Sequence, residues 1–145
     1  MALHLFLLWH NGMGYFPFVK QKLESVFSIK YTVNLFWDKK TTLEKLQLLY
    51  EFTLEESLMK IEECGYGEVC VFIIEDALNI QKKYLTKYGV IPVNKYAQEI
   101  KQQIRNSFNN QNLIHGTMTD FEFENDILVC LGCTKDTFWN NIQKE

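Results

Sequence analysis

The chain has little that bends or breaks a backbone: of its 145 residues only 2 are proline and 7 are glycine. So few interruptions exclude a collagen-like or low-complexity polymer, and the absence of any fixed-period repeat excludes solenoids and propellers. Cysteine is scarce too. Cys64, Cys70, Cys130 and Cys133 contain one close pair, Cys130 with Cys133, but no second pair completes a zinc spacing and no secretory leader supports disulfides. They read as reduced thiols of a cytoplasmic protein and not as metal ligands.

Long apolar runs are also missing. Residues 1–9 are apolar but lack a basic first region and a small-residue cleavage site, and His10 and Asn11 end the run. It is neither signal peptide nor membrane span, and it suits a strand. Charge of one sign is not in excess, because 15 Lys and Arg against 18 Asp and Glu leave a net charge of −3. That gives no general attraction to nucleic acid or to an anionic membrane. Lys82, Lys83, Lys87, Lys95, Lys101 and Arg105 nevertheless gather positive charge in one third of the chain, a bias that suits small anions such as phosphates. No glycine-rich phosphate loop follows the first apolar run: His10 to Gly14 has two glycines but neither the Walker lysine pattern nor the full dinucleotide fingerprint.

What is present is a core. Hydrophobic residues make up 47% of the sequence, enough for one globular domain spanning residues 1–145. Residues 4–9 and the alternating Ile29, Tyr31, Val33, Leu35 and Trp37 predict two strands, with a helix started by Pro17 between them. Thr41 or Thr42 is placed to cap a second helix, and a third runs over about 54–63 before the turn at Gly65 to Gly67. The unbroken apolar run from Val69 to Ile74 predicts a central strand. Helical segments are expected over 77–87 and again up to Arg105, with an irregular link over 89–92. A short strand over 112–115 and a helix after Thr119 complete the order β-α-β-α-α-β-α-α-β-α. Four strands with inserted helices fit an α+β class: a ferredoxin-like βαββαβ sheet, mostly antiparallel, covered on one face and carrying added helices. A flavodoxin-like parallel sheet is the alternative.

Chemistry concentrates at the end of the last strand. His115 is followed by Gly116, which frees the backbone for a sharp turn, and Asp126 stands eleven residues further on, in the next helix. A histidine at a strand end can expose its ring in a cleft. Its neutral imidazole is a nucleophile at pH 7 once a hydrogen bond on the other nitrogen fixes the tautomer, and Asp126 is available to make that bond.

With these residues in place, the chain resembles the nucleoside diphosphate kinases over roughly residues 3–132. Asn112, His115, Gly116 and Thr117 fill the family's Asn-x-x-His-Gly-Ser segment, with Asp126 in place of its glutamate. Ile104, Arg105 and Phe108 match Ile-Arg-Gly-Asp-Phe, with a link to the histidine about three residues shorter. Tyr50 falls at the family's tyrosine. The lysine that ends the family's first strand is Trp9 here, and its second phosphate arginine has no match, leaving Lys87 or Lys83 as substitutes. The resemblance implies a phosphotransferase in which His115 carries the γ-phosphate from a nucleoside triphosphate to a nucleoside diphosphate. It further implies that Asp126 orients the ring, Thr117 supports that bond and Tyr50 lies beside it. Arg105, Asn112, Gly116 and Lys87 would contact the nucleotide, and Mg²⁺ would be bound through the nucleotide phosphates, in a homo-oligomer. The lost lysine and arginine imply the alternative, a kinase-like module that binds a nucleotide or a protein partner with little or no turnover.

Overall fold

A computed structural model describes residues 2–108 and 111–143. Its frame is a four-stranded sheet in the order β2-β3-β1-β6, with every neighbouring pair antiparallel. The strands are β1 (Ala2–Leu8), β2 (Ser28–Trp37), β3 (Gly67–Asp76) and the short β6 (Ile114–Gly116). Two further strands, β4 (Gln81–Thr86) and β5 (Gly89–Asn94), form a separate hairpin. This is the α+β, ferredoxin-like arrangement, and it excludes the parallel alternative. All seven residues of β1 are buried, as a central strand requires.

The sheet is covered on both faces, which corrects the expectation of one covered face. Alternation along β1 sends Phe6 and Leu8 to one side, where they meet Val19 and Leu23 of α1 (Phe16–Val26) and Ile100 and Ile104 of α4 (Lys95–Asn106). Leu5, Leu7 and Trp9 go to the other. There they pack with α2 (Lys39–Tyr50), α3 (Leu54–Cys64), α5 (Asp120–Leu131) and α6 (Lys135–Gln143). Two buried faces explain why β1 and β3 read as continuous apolar runs.

Local signals set the helix starts. Pro17 falls in the first turn of α1. Asp38, and neither Thr41 nor Thr42, caps α2, its carboxylate accepting from Thr41 N at 2.8 Å. Thr53 and Glu56 form a reciprocal capping box on α3. Asn94 and Thr119 cap α4 and α5, and Gly132 ends α5 in the left-handed conformation, with φ of 70°.

The segment expected to be helical over 77–87, with its irregular link, is instead the β4–β5 hairpin. Residues Lys82, Tyr84 and Thr86 alternate with partners across a short turn, Thr86 facing Gly89. Thr86 Oγ1 accepts from Tyr88 N and donates to Gly89 O, both at 3.0 Å, and Gly89 adopts φ of 92°. A side-chain cap on the turn and aromatic and β-branched residues in its strands outweigh helix propensity here. Helix α6, beyond Gly132, was not foreseen.

Candidate active site

His115 lies in β6, opposite Leu7 of the central strand β1. His115 is 7% exposed and Asp126, from α5, is 3% exposed. His115 Nε2 and Asp126 Oδ2 are 2.6 Å apart. The carboxylate only accepts, so the ring proton sits on Nε2 and the lone pair remains on Nδ1. Burial holds the imidazole below its ordinary pKa against the opposing pull of Asp126, so the ring is neutral at pH 7. Asn125 Nδ2 donates to Asp126 Oδ1 at 3.0 Å and so fixes the second carboxylate oxygen.

Gly116 is required by close approach. A Cβ there would lie 2.7 Å from the Phe6 ring, inside contact distance. Tyr50 closes another side, its ring edge-on to the imidazole with centroids 4.8 Å apart. Its hydroxyl is enclosed, and burial raises its pKa. A cleft of about 310 Å³ opens over this group, lined by Tyr50, Tyr84, Lys87, Lys101, Arg105 and His115 among others. That volume is at the lower end of the range for small-ligand sites.

Other residues of the motif are placed differently. Arg105 reaches the cleft, with Nη2 donating to Ile114 O at 3.1 Å and Nε enclosed without an acceptor. Lys87, in the hairpin turn, lines the cleft and lies 3.9 Å from Glu51. Asn112 donates to the Glu63 carboxylate and is not among the cleft-lining residues. Thr117 turns away from the pair it was expected to support. Its hydroxyl accepts from Leu5 N at 3.0 Å and stands 3.4 Å from His4 Nδ1, so it stitches β6 to β1. Trp9, where the resemblance implies a lysine, is 0% exposed and packs edge-on against Trp37 at 5.9 Å.

Two groups near the histidine escaped the sequence reading of the site. Lys101 Nζ donates to Gly116 O at 3.2 Å, and Lys60 Nζ lies 3.8 Å from the Tyr50 ring centroid. Lys101 is four residues before Arg105, a same-face spacing that was available as a signal. Lys60 carries no such signal, because only the packing of α3 brings it to Tyr50.

The fold recurs in solved structures. An apo nucleoside diphosphate kinase from Encephalitozoon cuniculi is similar over 96% of this chain and 99% of its own, with 12% identity and a TM-score of 0.59. The fold is that of the nucleoside diphosphate kinases. The Aquifex aeolicus nucleoside diphosphate kinase is similar over 88% of this chain and 93% of its own, at 16% identity and a TM-score of 0.57. The Borrelia burgdorferi nucleoside diphosphate kinase, a transition-state mimic with vanadate and ADP, is similar over 89% of this chain and 86% of its own, at 14% identity and 0.55. No family model and no curated protein matches the sequence. At such identities the nucleoside diphosphate kinase likeness concerns the fold, and the chemistry must be argued from the cleft.

Proposed function

We propose that the protein is a phosphotransferase that passes the γ-phosphate of a nucleoside triphosphate to a nucleoside diphosphate through His115. The observation that carries this reading is the buried Nε2 to Asp126 bond of 2.6 Å, which leaves Nδ1 as a neutral nucleophile at a cleft walled by cations. In the first half-reaction Nδ1 attacks the γ-phosphorus in line. The N–P bond forms as the bond to the β,γ-bridging oxygen breaks, and its electron pair leaves with the diphosphate. The second half-reaction reverses these steps with a different diphosphate. Asp126 stabilises the ring as it gains charge, Arg105 meets phosphate oxygens, and Lys87 acts from the hairpin at the mouth.

Mg²⁺ would enter on the nucleotide's phosphate oxygens and neutralise charge there. The donor set fits that mode better than a protein cage. Glu122, a carboxylate of the cleft wall, already accepts through Oε1 from Met118 N and Thr119 Oγ1. We further assign the protein to the cytoplasm, on its four free thiols, and to a homo-oligomer, on the apolar Tyr31 and Phe36 exposed along the sheet-edge strand β2. No described helix is long and apolar enough to cross a membrane.

Buried Trp9 favours a second reading, nucleotide binding with little turnover, because its indole brings no charge to the end of β1. Incubation with γ-labelled ATP and Mg²⁺ separates the two. The transferase reading expects an acid-labile, base-stable label that His115→Ala abolishes. No label at stoichiometric enzyme, or a label that persists in His115→Ala, leaves the binding module.

A further inference from the structure

Two cations of the cleft wall flank His115, and a third, Lys60, which is not among the cleft-lining residues, lies against the Tyr50 ring that borders the histidine. Arg105 and Lys101, one helical turn apart on α4, bond to the carbonyls of Ile114 and Gly116, so they flank the histidine on both sides along β6. Lys60 reaches over Tyr50 from α3, and the same Tyr50 ring meets the imidazole edge-on. Among the described residues, none of the three lies within ion-pair distance of Asp or Glu, whereas Lys87 does. We propose that Lys60, Lys101 and Arg105 together form an anion site for the phosphates of a nucleoside polyphosphate, with Lys60 and Lys101 supplying charge that Trp9 does not. The inference rests on reading this cleft as the nucleotide site.

The electrostatics agree. Burial first, and the charge of Arg105 second, bring the Lys60 and Lys101 ammoniums down to about 8, so both remain charged at pH 7. Glu63 and Cys64 oppose the shift at Lys60, and Glu122 and Asp126 oppose it at Lys101. Lys60 adds a smaller push against the charge of Lys101. Like charges held together in a partly desolvated wall destabilise the empty fold, and a polyphosphate relieves that repulsion. Arg105 retains an enclosed Nε–H with no acceptor among the described residues, an unsatisfied donor on a cleft-lining side chain. Phosphate oxygens beside these groups would lie next to the free Nδ1.

The test uses inorganic tripolyphosphate and ADP as titrants in calorimetry at pH 7. The proteins are the parent, Lys60→Met, Lys101→Met and, as a charge control, Lys20→Met, whose lysine lies on α1 beside Glu24. Lys60→Met and Lys101→Met should each weaken both ligands about 10- to 150-fold, the range for one charge-assisted contact, while Lys20→Met stays within about twofold. Neither site variant should melt below the parent, because removing one like charge relieves repulsion. Should a variant fail to fold, acylation of lysines in the parent decides: tripolyphosphate should protect Lys60 and Lys101 but not Lys20. Unchanged affinity, equal loss in Lys20→Met, no protection, or no tripolyphosphate binding by the parent would each overturn the site. Tripolyphosphate binding with this pattern but no label on His115 keeps the anion site and sinks the transferase reading. A label unaffected by Lys60→Met and Lys101→Met does the reverse.

Discussion

His115 gives its one ring proton to Asp126, and the cost of burying both groups is met by that bond and by Asn125 behind it. Asp126→Asn keeps the shape but loses the charge that stabilises the ring as it is phosphorylated, so the labelling rate should drop about 10²- to 10⁴-fold in single-turnover measurements. The same burial predicts a bell-shaped pH profile for the label. Its acid limb lies below pH 6.5, where the lowered histidine finally takes a proton, and its alkaline limb lies near pH 8, where Lys60 and Lys101 lose theirs. A second histidine acts on stability alone. Burial drives His4 down to about 4. The unfolded chain binds its proton near pH 6.5 and the folded chain only near pH 4, so the fold has its full stability above 6.5 and loses about 3 kcal/mol as pH falls through that window. Urea midpoints at pH 7 and pH 4 measure this, and His4→Gln should flatten the acid side.

Among the elements, the β4–β5 hairpin stands apart, because it lines the cleft yet pairs with no strand of the main sheet. Its ties to the rest of the fold include Asn94 N to Met118 O, Asn94 Nδ2 to Asp76 Oδ2, Lys82 near Glu99, the Tyr88 ring against Phe121, and Lys87 near Glu51. A two-stranded ribbon is marginal by itself, so its amides should exchange at least about 100-fold faster than those of β1 and β3. Added ADP should slow exchange in the hairpin, since Tyr84 and Lys87 face the ligand space; equal protection in hairpin and sheet would contradict this. The hairpin is also where sequence patterning misleads. Residues 77–87 hold lysines and leucines that suit a helix, and the turn at Thr86 to Gly89 overrides them through a hydroxyl bonded at both ends.

At the scale of the molecule, the two apolar layers decide which changes the site tolerates. Trp9 fills the junction of β1, Trp37 and the α2 layer, so Trp9→Lys would place a charge in the core and would not restore a phosphate contact. Loss of about 3–5 kcal/mol and a melting temperature lower by roughly 10 °C or more are expected by calorimetry. The sequence alone determined β1, β2 and β3 with their apolar runs, the helices α1 to α5, and the proximity of His115 and Asp126, since these follow from periodicity and short spacings. Tyr50 was placed by the family resemblance and not by any spacing. Tertiary structure decided the rest. Thr117 was drawn from the histidine to Leu5 N because β6 is short and its end is secured by a hydroxyl. Asn112 was engaged by Glu63 from α3, and Lys60 was brought over Tyr50, through contacts between residues far apart in the chain. Such long-range meetings depend on how helices seat on the two faces of the sheet, and no local pattern encodes that seating.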